Sequence, residues 1–187
     1  TINGSESSNV SFSNTSNLFN IVDIQQAGVV TLADSSASGM TLQGAATQRV
    51  DITADSAIIV NDLTSSDILL SATNGSVSIL NSLTATNTID IDGEGVQING
   101  SIDINNSAAE RLLDVNANGG ALNIAAPITA TGSLDASRVL LAGSTVNQMT
   151  DATLQANNIQ IVSTNDTTLM ADITVDGLFD VDSGENI

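Results

Sequence analysis

No cysteine occurs in the chain, which rules out both a disulfide framework and a thiolate metal site. Histidine and lysine are missing too, and the only cations are Arg49, Arg111 and Arg138. A serine nucleophile would therefore lack its imidazole partner. Tryptophan and tyrosine are absent; Phe12, Phe19 and Phe179 are the only aromatics, and Pro127 is the only proline. Globular domains usually fill a deep core with large aromatic anchors. An interior of Ile, Leu, Val and Ala suits a thin, layered core instead. No apolar run approaches the ~20 residues of a membrane-spanning helix. Three cations against 21 acids leave a formal charge of −18, so phosphate backbones and anionic membrane surfaces are both repelled. Neither nucleic acid nor a membrane is an expected partner.

What is present is a repeat. IVNDLT from Ile59 and ILNSLT from Ile79 agree at four of six positions, 20 residues apart. Leu63 and Leu83 share that offset, as do Leu69 and Ile89. ILNSLTATNTID from Ile79 aligns with IAAPITATGSLD from Ile124, five of twelve positions being identical at an offset of 45. That offset fits one ordinary turn plus one enlarged turn, and the polar stretch NNSAAER (105–111) is the expected inserted loop. Within each unit the apolar residues alternate, as in a strand with one buried face, and do not fall at helical spacing. Val77 and Ile79, Leu83, Ile89 and Ile91, then Val96 and Ile98 define short strands. Between them lie Asn81-Ser82, Asn87-Thr88 and Gly93-Glu94-Gly95, residues that favour turns.

Such units in phase predict an all-β fold, a parallel β-helix (β-solenoid) with coils of ~20 residues stacked ~4.8 Å apart. The alternative is a β-sandwich, which would want longer strands and aromatic anchors. Residues 1–187 are expected to form one solenoid segment, with less regular first coils over 1–28. Nine coils would give a rod of ~45 Å. The start at Thr1, without Met or leader, predicts a processed product or an excised fragment. Thr1 to Ser5 (TINGS) resembles the stretch Gln97 to Ser101 (QINGS), so no polar cap is expected there, and the stack is expected to continue into further coils or another copy.

NGSVSIL from Asn74, LTATNTIDIDGEGVQINGSIDI from Leu83 and GGALNIAAPITATGSLDAS from Gly119 share G-x-[LIV]-x-[LIV] and [LI]-T-A-[ST] rhythms. Over roughly Val50 to Leu178 the chain resembles the coils of filamentous-haemagglutinin-type exoproteins, secreted by the two-partner route, and is similar to β-helical autotransporter passengers. The resemblance implies a right-handed helix acting as a rigid adhesive stalk, secreted or displayed on a bacterial cell surface. Self-association end to end is the expected partnership, with host or surface glycans as further candidates.

Three acidic turns are the candidate metal sites: IDIDGEG from Ile89, LDVNANGG from Leu113 and FDVDSGEN from Phe179. Alternation turns Asp90, Asp92, Asp114, Asn116, Asp180 and Asp182 outward, with Glu94, Asn118 and Glu185 following at the turns. Asp114 to Gly119 reads D-x-N-x-N-G, the front half of an EF-hand loop, and alternate hard oxygens suit Ca²⁺. The bidentate Glu at loop position 12 is replaced by Ala125, which favours a solvated corner with loose cation screening. No cofactor is required on this reading; Ca²⁺ is the one candidate. Asp90 and Asp92, ~7 Å apart along a strand, could also serve as a glycosidase pair. Without His or Lys beside them, no enzyme is expected. The pairs Thr84/Thr86 and Thr129/Thr131 resemble ice-binding arrays, and a glycan- or ice-binding module is the alternative function. Their equivalents change to Thr64/Ser66 and Asp103/Asn105, so ordinary strand threonines are the simpler account.

Overall fold

The computed structural model of the chain describes residues 1–14, 16–105, 112–131 and 138–187. Among the described residues there is no helix, and every strand pairs in parallel with a strand about one coil away, the interior strands on both sides and the end strands on one. The fold is a β-solenoid of about eight turns. Each coil crosses three faces, here called A, B and C in chain order. In one coil face A is 77–79, face B 83–85 and face C 89–93, all within the bent strand Val77–Gly93.

The period-two pattern sets the interior. On face A the inward columns run Ile58–Val77–Val96–Leu122–Val146–Thr167 and Val60–Ile79–Ile98–Ile124–Gln148–Leu169. Face B contributes Ile24–Gly44–Leu63–Leu83–Ile102–Ile128–Leu154–Ile173. On face C one column runs Val10–Val30–Val50–Ile68–Ile89–Leu113–Val139–Ile159–Phe179. The aliphatic side chains of these columns pack as one continuous cluster, while Phe179 in the last layer is exposed. Each fully buried Ile, Leu or Val contributes roughly 1.5–3 kcal/mol, so aliphatic rungs can replace an aromatic core.

Leu63 and Leu83 pair as the repeat predicts. Leu69 does not pair with Ile89: it lies beside Asp90 and faces outward, while Ile68 takes the column of Ile89. Likewise Ile59 lies beside Ser78, and Val60 takes the column of Ile79. Register shifts between Val60 and Asp62 and between Ser65 and Asp67 cause this, making the offset 19 residues on face A, 20 on face B and 21 on face C. A one-residue bulge exchanges inside for outside. The INGS match also misplaces the first strand: Ile2 pairs with Ile24, in the column of Ile102 and not that of Ile98.

The enlarged turn is where the 45-residue offset puts it, since Ile102 pairs with Ile128, 26 residues on. A second follows, Ile128 pairing with Leu154 after another 26. The predicted loop at 105–111 lies outside the described residues from 106 onward. Nine stacked strands on face C leave eight intervals, so the rod is ~38 Å long, somewhat shorter than the repeat count suggests. In the first and last layers the inward residues Ile2, Val10, Ile173, Val175 and Val181 are only partly buried.

Gly44 sits where face A bends into face B, at φ +112. A Cβ there would run into the Ile24 carbonyl one coil below, so the close approach of two backbones requires glycine.

Candidate functional site

The three acidic turns share the two outward columns of face C. The column through Asp90 reads Ser11–Thr31–Asp51–Leu69–Asp90–Asp114–Leu140–Gln160–Asp180. Its neighbour places Asp92 beside Asn116, then Ala142, Val162 and Asp182. The first two motifs are thus stacked in adjacent coils, whereas Asp180 and Asp182 lie three layers beyond Asp114 and Asn116. Glu94 and Asn118 fall at the corner after face C, both exposed. Among the described residues no three acidic side chains converge as a metal cage.

Local geometry explains the spread. Asp114 and Asn116 are on the strand Leu113–Asn116, where alternate side chains stay ~7 Å apart. The chain turns only afterwards, through Asn118 at φ +30 and Gly119 at φ +89, with the Asn118 N–H donating to Asn116 Oδ1 at 3.1 Å. The D-x-N-x-N-G pattern therefore makes an Asx turn at a coil corner.

One carboxylate is perturbed. The half-buried Asp92 has its pKa raised above the ordinary 3.8, first by burial and then by the Asp114 carboxylate; a hydrogen bond with Asn116 opposes both. Asp90 and Asp114 line a shallow cleft of about 310 Å³ with Arg49, Leu69, Thr88 and Ile89. Arg49 also holds Asp51 at 3.0 Å, the only ion pair among the described residues. Arg138 donates to Gln160 Oε1 at 2.7 Å.

With so few cations, several acids are met in another way. Asp62 accepts from Asn81 Nδ2 at 3.2 Å and Ser82 Oγ at 2.8 Å. Asp67 accepts from Asn87 Nδ2 and, at 2.8 Å, from Thr88 Oγ1. Asp180 accepts from Gln160 and Asp166 from Asn186. Neutral amides and hydroxyls one coil away thus do the work that arginine would do elsewhere.

The threonine pairs lie on face B as their spacing implies: Thr64, Thr84, Asp103 and Thr129 form one outward column. Thr86 Oγ1 lies 3.2 Å from Ser66 Oγ beside it. Asp103 interrupts the hydroxyl row, so it is not a uniform array.

No sequence motif marks the polar groups that point inward. Asp34, 3% exposed, accepts from the Phe19 N–H at 2.6 Å and the Ser36 N–H at 3.1 Å. Gln148 donates to the Ala152 carbonyl at 2.7 Å and accepts from the Ala171 N–H at 3.3 Å. Ser163 and Thr167 hydrogen bond at 2.8 Å across an interior corner. The signal for each was a polar residue at an inward phase of the alternation, such as Asp34 after Val30 and Leu32.

The class that the fold defines is a parallel β-solenoid with small polar and acidic columns on its outer faces. Compared with known proteins, the chain matches no family model, no curated protein and no solved structure.

Proposed function

We propose that this chain is a rigid structural segment of a secreted or surface-displayed bacterial filament or adhesin, of the filamentous-haemagglutinin type its repeats resemble. The observation that carries the reading is the coil register. Parallel pairing runs through nine layers of face C, and the inward apolar residues of the terminal layers are left partly exposed. A further coil laid on either end would bury Ile2 and Val10, or Ile173, Val175 and Val181, and satisfy the open strand edges. The joined surface is another coil of the same kind, from a second copy or a flanking tract.

Electron microscopy and sedimentation of the purified chain test this. End-joined rods that lengthen with concentration are expected, and Val181→Lys should shorten them. Discrete ~40 Å particles at millimolar concentration, unchanged by Val181→Lys, would remove the end-to-end reading. Immunolabelling of producing cells tests location, and a signal confined to the cytoplasm would overturn it. A second reading, glycan binding, draws on the in-register hydroxyls Thr64, Thr84 and Thr129 of face B. A glycan array without hits disposes of that alternative.

A further inference from the structure

Charge is unevenly distributed around the rod. Face C carries Asp51, Asp90, Asp92, Asp114, Asp180 and Asp182 on its outer columns. Face B carries Asp103. The outward midline of face A runs Ile21–Thr41–Ile59–Ser78–Gln97–Asn123–Asn147–Thr168 and holds no ionisable side chain. The column beside it contains Asp23 in its first layer. It then passes through Leu80, Asn99, Ala125, Met149 and Met170 without a charge. Acids return at the edges of the face, at Asp55, Glu94 and Asp166 on one side and Asp62, Asp151 and Asp172 on the other.

The same face holds the exposed apolar side chains that the ends do not explain. Among the described residues outside the first and last coils, the exposed large hydrophobics are Leu80 at 43% and Met149 at 49%. Met170 follows Met149 in the next coil at 60%, and Ile21 begins the midline at 62%. In a chain of net charge −18, apolar side chains and amides are thus gathered on one strip whose only carboxylate among the described residues is Asp23, in the first layer.

We propose that face A is a lateral docking surface for a second copy of this chain, so that rods pair side by side through it. Two like-charged rods repel along faces C and B, and beyond Asp23 in the first layer face A is where they can meet without opposing carboxylates. Its chemistry is also its own complement. Each carboxamide both donates and accepts, so the column Gln97–Asn123–Asn147 can bond to its two-fold mate. Within one copy that column already shows the pattern, Asn147 Nδ2 lying 2.9 Å from Asn123 Oδ1. A cationic partner would be drawn to face C instead. The strip measures roughly 34 Å by 13 Å, on the order of 440 Å², from strand rise and coil spacing. That is about half of the ~800 Å² per partner of a stable complex, so one segment pairs weakly and a long rod repeats the contact. Salt should strengthen the pairing by screening the acids at the rim.

The test is small-angle scattering with sedimentation at ~1 mM in 0.5 M salt, conditions chosen for weak, rim-repelled contacts. The expected result is a doubled cross-section at unchanged length, which separates this pairing from the end-to-end joining proposed above. Gln97→Glu/Asn123→Asp/Asn147→Asp should weaken it at least tenfold. Gln25→Glu/Asn105→Asp/Gln155→Glu, which adds the same charge to face B, should not. Met149→Glu, which should likewise weaken the pairing, gives a single-site check in case the triple variant does not fold. A monomer under these conditions, growth in length alone, or equal loss in both triple variants would overturn the proposal.

Discussion

Replacing Ser65 with alanine should stabilise the protein. Ser65 is 3% exposed and points inward on face B, next to Ala46 on one side and Ala85 on the other. Further along, the column passes through Ile104, Ala130 and Ala156. Its hydroxyl is the one buried side-chain oxygen without a partner among the described residues. Leaving such a group unsatisfied costs about 1–3 kcal/mol. The oxygen's dispersion contacts return only ~0.1–0.2 kcal/mol each, and alanine already fills the same position one coil away. Ser65→Ala should therefore add about 1–2 kcal/mol. For a chain of this size that is about 2–4 °C in Tm per kcal/mol. Urea titration with an unchanged m-value is the assay. The contrast is Thr167→Val, which removes an inward hydroxyl bonded to Ser163 while keeping its volume, and should cost about 0.5–1.5 kcal/mol. A lower midpoint for Ser65→Ala, or the same sign for both variants, would refute the reasoning.

Further expectations follow from individual residues. Asp34→Ala strips the acceptor from two N–H groups of the early coils, Phe19 and Ser36, and should cost about 1–3 kcal/mol by chemical denaturation. Gly44→Ala combines positive φ with a backbone clash; a loss of about 2 kcal/mol or more is expected, and a midpoint like wild type would contradict the close approach. Asp92 keeps its proton to higher pH in the folded state than in the unfolded chain. Its ionisation therefore costs stability above that window, and the cost disappears as pH falls through the folded and then the unfolded pKa. Asp92→Asn should be more stable at pH 7 and show a flatter pH profile; a steeper profile would reverse the sign. Millimolar Ca²⁺ should raise Tm over chelator by screening the stacked Asp90 and Asp114, less so in Asp114→Asn, as calorimetry can check. An identical Tm with and without Ca²⁺ removes any role for the ion.

The coil was legible because its cause is local: alternation at 77–79 and 89–91 dictates an inside and an outside, and repetition dictates a neighbour. The register within a coil was less legible. IVNDLT and ILNSLT align best at 20 residues, but the bulges near Asn61 and Ser66 move Ile59 and Leu69 outward. The shift is hidden because both candidates for each inward place are aliphatic, Ile59 and Val60 before the first bulge and Ile68 and Leu69 after the second. The outward phase of the acidic motifs was legible from alternation, whereas their register was not: Asp90 stacks on Asp114, and Asp180 lies three layers further on. How the acids are satisfied was not visible. Asp62 and Asp67 depend on Ser82 and Thr88, residues about 20 positions away that become neighbours only after stacking.

The most direct test of the stacked-coil account uses the absence of cysteine as a clean background. Ser78 and Gln97 are register partners in adjacent coils of face A, and Asn123 lies one coil beyond Gln97. Cysteine at Ser78 and Gln97 should oxidise readily to an intramolecular disulfide, since partners ~4.8 Å apart are within its span. Cysteine at Ser78 and Asn123, ~9.6 Å apart, should not. Fast closure of the second pair, or none of the first, would contradict the stack.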